Sequence, residues 1–247
     1  YRLIQRSNYI LKKGKLYLAP NFLGDSSLFN FDENFISLIS KIEYFIFENE
    51  KVGRSFIKKI NPIRDQSSIN IRILNKKSDI FKIDEFLNPC QSGFDIALIS
   101  DAGCPAIADP GSDLISIAHE QNIRVVPLVG PSSILLALMA SGMNGQQFKF
   151  NGYLPIDKKE RKKTIKYLEK KSIFATQIFM ETPYRNNSLM NDLLSSLKSN
   201  TRLCVAANLT LEKEFIKTDY VNNWSKSNID LDKSPCIFLI DSKLEAF

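Results

Sequence analysis

The chain has 247 residues, of which 44% are hydrophobic and 24% charged, a length and balance typical of a globular protein with a sizeable core. Its formal net charge is +6 and it contains a single histidine, His119, which excludes multi-histidine metal sites and argues against a histidine-based catalytic triad. Four widely spaced cysteines without a C-x-x-C pair argue against a zinc site or a disulfide framework and favour a cytoplasmic protein, and the longest apolar run, 134–140, is too short to span a membrane.

The first half of the chain alternates predicted strands with predicted helices. Such alternation is typical of a mostly parallel sheet with helices on both of its faces. The elements in chain order are strand 15–20, a helix over 35–42 capped by Asp32, strand 44–48, helix 54–60, strand 69–74, helix 79–88, strand 96–100, helix 112–120, strand 124–129 and helix 132–140.

The second part has fewer helices and more consecutive strands, which predicts a smaller, mixed sheet. A boundary near Gly152 divides the chain into an N-terminal α/β domain, 1–152, and a C-terminal α/β domain, 153–247. The later elements are a charged helix over 158–171, strand 176–181, an amphipathic helix around 189–197, and strands 202–207, 214–221 and 236–240.

The charged helix 158–171 carries eight basic residues against the two acidic residues Glu160 and Glu169. One interpretation is an ordinary solvated helix face, and the other is a surface that faces an anionic partner. The basic net charge of the whole chain also favours anionic partners, without singling out nucleic acid.

The most informative segment is the loop 99–111, Ile-Ser-Asp-Ala-Gly-Cys-Pro-Ala-Ile-Ala-Asp-Pro-Gly. It follows a predicted strand, and ligands of open α/β sheets bind at the carboxyl ends of strands. Similar loops leave the predicted strands after Ala19, Val129 and Glu181. The chain has neither a phosphate-binding G-x-x-x-x-G-K-[ST] loop nor a G-x-G-x-x-G fingerprint, so the common nucleotide folds are not indicated.

Three motifs in these loops resemble a known family. They are S-D-A-G-x-P with D-P-G over 100–111, P-x-x-G-P over 127–131 and G-Y-L-P over 152–155. In order and spacing they resemble the tetrapyrrole methylase superfamily, most closely its branch of ribosomal RNA ribose methyltransferases, which modify a cytidine of small-subunit RNA. The resemblance extends over almost the whole chain.

The resemblance implies S-adenosylmethionine bound in a cleft between two α/β domains, without a metal, usually in a homodimer. Core packing is the competing interpretation for the apolar members of the implied cofactor set, and Ser132 or Ser133 could simply cap a helix. By position the implied cofactor residues are Leu23, Ala102, Gly103, Cys104, Ile107, Ser132, Ser133, Met180, Glu181, Ala207 and Cys236.

The chain departs from the branch on the side expected to bind substrate. Where the branch has A-E-D-[ST]-R, residues 47–51 read F-E-N-E-K, and where it has A-R-E-L-T-K, residues 206–210 read A-A-N-L-T. These departures bear on the RNA substrate more than on methyl transfer itself.

Glu48 and Asp101, at the ends of predicted strands, are the carboxylates nearest the crevice that these loops are expected to form, and one of them is the candidate acceptor for the proton of a ribose hydroxyl. Alternatively, Glu48 pairs with Lys51 or Arg54, and Asp101 binds loop amides. The sequence therefore predicts an S-adenosylmethionine-dependent methyltransferase acting on RNA or a ribosomal subunit. The alternatives are a methyltransferase of a tetrapyrrole or other small molecule, and a non-catalytic S-adenosylmethionine-binding module.

Overall fold

The computed structural model describes residues 12–25, 31–224, 226–227 and 229–242. These residues form two compact units. We call residues 12–22 with 31–131 the first unit, and residues 23–25 with 132–242 the second unit. The boundary predicted at 152/153 falls later in the chain than this division, at the end of a strand that pairs with the sheet of the second unit.

The first unit contains a five-stranded sheet in which every pairing is parallel. Its strand order is β3-β2-β4-β1-β5, which confirms the predicted parallel α/β sheet. The strands are β1 (Lys15–Ala19), β2 (Tyr44–Phe47), β3 (Asn70–Ile73), β4 (Ile96–Ile99) and β5 (Arg124–Pro127), and the helices are α1 (Glu33–Lys41), α2 (Glu50–Ile60), α3 (Asn88–Gln91) and α4 (Ser112–Glu120).

Side chains at the helix starts explain where these helices begin. The Asp32 carboxylate accepts a hydrogen bond of 2.7 Å from the Phe35 amide, which confirms the predicted cap of α1. The Asn49 side chain caps α2 in the same way by accepting from the Lys51 amide at 3.0 Å. The two helices pack against each other through the buried rings of Phe35 and Phe56, whose centroids are 6.3 Å apart.

The prediction of one continuous helix over 79–88 is wrong. Residues Ile80–Leu87 form a 3-10 helix, and a separate short α-helix, α3, follows it. Pro89 lies in the first turn of α3 and has no N–H to donate to the preceding turn, so one continuous α-helix is not formed.

The second unit contains a mixed sheet of five strands in the order β6-β7-β10-β8-β9. Strands β6 and β7 are parallel, and the other neighbours are antiparallel, so the predicted mixed sheet is confirmed. The strands are β6 (Phe148–Tyr153), β7 (Thr176–Glu181), β8 (Arg202–Ala207), β9 (Phe215–Tyr220) and β10 (Cys236–Asp241), and the helices are α5 (Ser133–Ser141), α6 (Lys158–Lys171), α7 (Asn186–Ser196) and α8 (Val221–Trp224).

Among the strands of the described residues, β6 is the one that was not predicted from the sequence. It lies at the edge of its sheet, and none of its residues is fully buried. An edge strand of this kind lacks the buried apolar run that identified the central strands β7, β8 and β10.

Each unit has its own apolar core. The first is built around Leu16, Ile96 and Leu98 of the central strands, and the second around Phe179, Trp224 and Phe238. Within the described residues, no helix combines the length and the apolar character needed to cross a membrane.

Helix α2 approaches the sheet closely at Gly53, and this contact generates a stability prediction. A Cβ atom at Gly53 would lie 2.3 Å from Cγ of the buried Phe47 ring. We expect Gly53→Ala to lower the free energy of unfolding by about 1–3 kcal/mol because the helix must move away from the strand. Urea unfolding followed by circular dichroism measures this change.

Gly145→Ala is the matched control, because nothing lies within 4 Å of the added Cβ there. We expect it to change stability by no more than about 0.5 kcal/mol. Equal effects of the two substitutions would contradict the close packing of α2 on β2.

Candidate functional site

The strand order of the first unit creates a crevice at the carboxyl ends of β2 and β4. The connection from β2 leads outward to β3, whereas the connection from β4 leads across β1 to β5 on the opposite side. Adjacent strands whose connections diverge leave a gap in which α/β proteins bind ligands. Phe47 is paired with Ile99, so Glu48 and Ser100 enter this gap at the same level.

Asn21, which follows β1, fixes the loop that follows β4. Its side-chain amide donates to the carbonyl oxygens of Ser100 at 3.0 Å and of Asp101 at 3.2 Å. Its backbone forms a two-bond bridge with Gly103, with N···O distances of 2.9 and 3.2 Å. Asn21 was not among the predicted site residues, although a buried polar residue directly after a strand is the signal that could have identified it.

The loop after β4 also contacts the loop after β5. The thiol of Cys104 donates to the carbonyl oxygen of Pro131 across 3.5 Å, and burial raises the pKa of this thiol, which keeps it protonated as a donor. The loops after β1, β4 and β5 therefore meet at one edge of the first sheet.

The backbone of the loop after β4 is in a conformation that few side chains tolerate. Gly103 has φ +69°, and the two alanines Ala106 and Ala108 have φ +62° and +65°. A left-handed alanine costs about 1–2 kcal/mol. Such strain persists only where surrounding contacts over-determine the loop, and the bonds from Asn21 and to Pro131 provide those contacts.

Three carboxylates surround the crevice: the predicted Glu48 and Asp101, and Asp109, which the sequence analysis did not single out. Burial raises the pKa of Glu48, and the negative charges of Asp109 and Asp101 raise it further. Burial and the charge of Asp101 raise the pKa of Asp109 to about 6, while Lys76 opposes both shifts. The charges of Asp101 and Asp109 thus act on the ionisation of neighbouring carboxylates, so the three groups lie in one electrostatic environment.

Asp101 is held differently from the other two carboxylates. Burial raises its pKa, and a hydrogen bond from the backbone amide of Asn49 lowers it. This contact resembles the amide-binding role considered as an alternative for Asp101. Arg54 binds Glu50 at 2.8 Å, which is a different partner from the Glu48 considered in the sequence analysis.

A cavity of about 530 Å³ opens beside Asp109, within the size range of small-molecule sites. Its walls come from the segment after β3 and from the start of α4, and they include Lys76, Gly111 and Asp113. The acidic side of the crevice is therefore accessible from an open pocket.

In the second unit, three of the predicted cofactor residues lie side by side. Cys236 of β10 is paired with Glu181 of β7 on one side and with Ala207 of β8 on the other, and Met180 is next to Glu181. The side chains of Ala207 and Cys236 belong to the apolar core, as their alternative interpretation held. This leaves the main-chain atoms of Ala207 and Cys236 as the groups of these residues that can contact a ligand.

Glu181 carries a buried acceptor that no described residue satisfies. Its Oε1 accepts from the Thr182 amide at 2.7 Å and from Arg185 at 2.6 and 3.1 Å, whereas Oε2 is buried without a hydrogen-bond partner. Oδ1 of Asn186, at the start of α7, is unsatisfied in the same way. Buried unpaired acceptors of this kind need an explanation, and a ligand donor is one.

The other predicted cofactor residues have varied surroundings. Leu23 packs on an apolar cluster of the second unit, while Ala102 and Ile107 are exposed. Ser132 occupies the N-cap position of α5, but its side chain makes no capping hydrogen bond, and Ser133 is the first residue of that helix. The hydroxyl of Ser132 is thus not used for the capping role considered above.

No group of three or more His, Cys, Asp or Glu side chains is arranged to hold a metal ion in the described part of the chain. His119 is exposed in the last turn of α4, away from the carboxyl ends of the strands. The arrangement of the first unit thus offers carboxylates and main-chain groups for its chemistry.

Comparison with known proteins identifies the class. Residues 43–221 match the tetrapyrrole (corrin/porphyrin) methylases, and the fold is similar to the crystal structure of the methyltransferase CobJ, with a TM-score of 0.60 and 12% identity over 93% of this chain and 94% of that one. The chain therefore belongs to the tetrapyrrole methylase family, which confirms the resemblance of its motifs, and it is a methyltransferase.

Among its relatives are two proteins named ribosomal RNA small subunit methyltransferase I. The relative from Buchnera aphidicola subsp. Schizaphis graminum is 30% identical over 240 residues, which covers 95% of this chain and 80% of that protein. The relative from Escherichia coli O157:H7 is 28% identical over 234 residues, covering 93% of this chain and 78% of that protein.

The raised pKa of Asp109 generates a prediction about pH. Because the pKa is about 6 in the folded protein and about 3.9 in an unfolded chain, ionising Asp109 destabilises the fold. Asp109→Asn removes that penalty, so we expect it to raise the free energy of unfolding by about 1–2 kcal/mol at pH 8, after allowing for solvent screening. The gain should shrink as the pH falls from about 6 and vanish below about 4.

Urea unfolding at several pH values measures this dependence, with Asp84→Asn as the control at an exposed aspartate. A gain for Asp109→Asn that is constant from pH 4 to pH 8 would contradict the assignment of a raised pKa to this carboxyl.

Proposed function

We propose that the chain methylates the RNA of the small ribosomal subunit, at a ribose 2′-hydroxyl, with S-adenosylmethionine as methyl donor. The observation that carries the proposal is the 30% identity, over 95% of the chain, to a protein named ribosomal RNA small subunit methyltransferase I. We also propose, from the family resemblance and from the free cysteines, a homodimer that works in a reducing cytoplasm.

The residues of the two units fit the chemistry of S-adenosylmethionine. In the first unit, the left-handed Gly103 lets main-chain groups of Ala102 and Cys104 approach a ligand, with the exposed Ile107 beside them. In the second unit, buried Oε2 of Glu181 is an acceptor in need of a donor, and an amino group of the cofactor would supply one. We propose that the cofactor is held by these residues together with Leu23, Ser132, Ser133, Met180, Ala207 and Cys236.

When bound, S-adenosylmethionine supplies a methyl group already activated on a positively charged sulfur. The protein then has to orient the accepting hydroxyl, exclude water and receive its proton. Glu48 and Asp101 stand at the ends of β2 and β4, and burial raises the pKa of both. A carboxylate with a raised pKa is a stronger base, so each suits the task of accepting the proton from the hydroxyl oxygen.

Asp109 contributes to this basicity through its charge. Ionised Asp109 raises the pKa of Glu48, so Glu48 becomes more basic when the neighbouring carboxylate is charged. Neighbouring charges therefore increase the proton affinity of Glu48. The amide of Asn49 instead stabilises the charged form of Asp101.

The base assignment is tested by single-turnover methylation of small ribosomal subunits that lack the modification. We expect Glu48→Gln or Asp101→Asn to lower the rate by about a hundredfold or more, because general-base catalysis contributes about 10²–10⁴. Asp84→Asn, which removes an exposed carboxylate from the same unit, serves as the control. Undiminished rates in both crevice variants would refute the assignment.

The cofactor site is tested by isothermal titration with S-adenosylhomocysteine. Gly103→Ala should weaken binding by about tenfold, since an alanine is strained at φ +69° and displaces the main chain of the loop. Gly145→Ala, in open space, should leave binding unchanged, and thermal unfolding of each variant verifies that it is folded.

The two experiments also separate the alternative functions. Cofactor binding without transfer to any acceptor would favour a non-catalytic module, and transfer to small molecules alone would favour a tetrapyrrole-type substrate. Transfer of labelled methyl to ribosomal RNA supports the proposal.

A further inference from the structure

Helix α6 has two faces of opposite character. Its inner face buries Arg161, Ile165, Leu168 and Glu169. The opposite face carries Lys159, Lys163, Lys166 and Lys170, all exposed. Their spacing places them in one row along the helix, and we call these four residues the lysine stripe.

The buried charges of α6 are used by the fold. Arg161 donates to the Asp192 carboxylate of α7 at 2.6 and 2.8 Å. Glu169 accepts from the Thr201 hydroxyl at 2.6 Å and from the Lys198 amide at 2.7 Å. These contacts fix the rotation of α6 about its axis, so the face that carries the lysine stripe is set by packing on the inner face.

The charges of the lysine stripe make no buried contact in the described part of the chain. Lys163 binds Glu160 at 2.7 Å, with both side chains more than half exposed. For Lys159, Lys166 and Lys170, the described residues provide no ion pair or hydrogen bond. Like charges three and four residues apart on a helix repel one another, so the stripe destabilises α6 slightly unless an anionic partner neutralises it.

Exposed aromatic rings flank the lysine stripe. Tyr167 is 55% exposed and Phe174, just beyond the end of α6, is 70% exposed. Nζ of Lys171 lies 5.5 Å from the centroid of the Tyr167 ring. Lysines that track a backbone beside aromatic rings that stack bases are the combination by which proteins bind single-stranded nucleic acid.

The length of the stripe favours an extended anion. From Lys159 to Lys170 the helix rises about 16 Å, a distance that spans several phosphates of a nucleic acid strand. The apolar residues of α6 are buried against its own unit, so the helix has no free apolar face for insertion into a membrane. A polyphosphate chain with bases fits this surface better than a lipid headgroup layer does.

We propose that the lysine stripe and Tyr167 form a docking surface for ribosomal RNA, in which the lysines bind backbone phosphates and Tyr167 stacks on an unpaired base. The inference rests on the proposed function, since it takes the substrate to be RNA, and it assigns to α6 the anchoring of that substrate. The surface acts in binding and takes no part in methyl transfer.

The experiment compares two triple variants of equal net charge. The stripe variant combines Lys159→Gln, Lys166→Gln and Lys170→Gln. The control variant combines Lys41→Gln, Lys58→Gln and Lys226→Gln, at lysines that are also exposed. Of these, Lys41 and Lys58 lie in the last turns of α1 and α2, away from the carboxyl ends of the strands. Binding to unmethylated small ribosomal subunits is measured by filter retention over a range of salt concentrations.

For the stripe variant we expect Kd to rise about tenfold or more at ~0.1 M salt, and the slope of log K against log salt to fall by about 2–3, since each lost phosphate contact removes about 0.7–0.9. KM for the subunit should rise while kcat at saturating subunit, and the affinity for S-adenosylhomocysteine, stay unchanged. The control variant should keep the wild-type slope to within about 1. Tyr167→Ala should weaken binding, and Tyr167→Phe should restore it.

Equal losses in the two triple variants, or wild-type binding by the stripe variant, would overturn the docking surface. Stripe-dependent binding to phosphatidylserine vesicles, with none to the subunit, would overturn it in favour of a membrane. If the wild-type protein transfers no methyl group to the subunit, the proposed function fails. If the wild-type protein does transfer the methyl group but its binding to the subunit does not depend on the stripe, the docking surface is refuted and the proposed function stands.

Discussion

The candidate site of the first unit depends on the attachment of the loop after β4 to Asn21. Four hydrogen bonds connect this one residue to Ser100, Asp101 and Gly103, and Asn21 itself is 4% exposed. A buried amide with satisfied partners confines the backbone more strongly than exposed contacts do, because each bond lost inside the protein leaves an unpaired polar group. The left-handed alanines at 106 and 108 can persist because the start of the loop is held in this way.

The carboxylates at the crevice destabilise the fold, in contrast to the hydrogen bonds of Asn21. A parallel sheet brings the ends of β2 and β4 to the same level, and with them Glu48 and Asp101, while the ordered loop returns Asp109 to the same place. The charges of Asp101 and Asp109 raise the proton affinity of neighbouring carboxylates, so the cluster weakens the fold at neutral pH. A protein that accepts a proton from a weakly acidic hydroxyl needs such a group, and stability lost at a functional site is a common consequence.

How far the sequence predicted the structure depends on burial. Strands β7 and β8 and helix α6 have the predicted bounds because their apolar residues are buried in a regular pattern. Strand β6 was not predicted, because its sequence F-K-F-N-G-Y has no β-branched residue and contains Asn-Gly, a pair that indicates a turn. The 3-10 helix 80–87 has helix-like spacing, and the proline that ends it acts through a missing hydrogen bond rather than through the spacing of apolar residues.

The site was predictable only where a residue directly follows a predicted strand. Glu48 and Asp101 were recognisable because each directly follows an apolar strand. The participation of Asp109 and Lys76 depends on how the loops after β4 and β3 return to the crevice, which no local pattern specifies. Asn21 illustrates the same difficulty: its partners are about 80 residues away, and only the strand order β4-β1 brings them together.

Helix α6 shows how the structure separates two interpretations that the sequence left open. By composition alone, eight basic residues indicate either a solvated face or an anion-binding one. Arg161 is not available to a partner, because Asp192 neutralises it inside the protein. Lys162 lies 3.7 Å from the same carboxylate, so its charge is partly neutralised as well. Of the six remaining lysines, four form the lysine stripe, and a solvated helix selected only for solubility would be expected to intersperse acidic residues along that side. Glu160 is the single exposed acidic residue of α6, so most of the stripe's charge stays available to a partner.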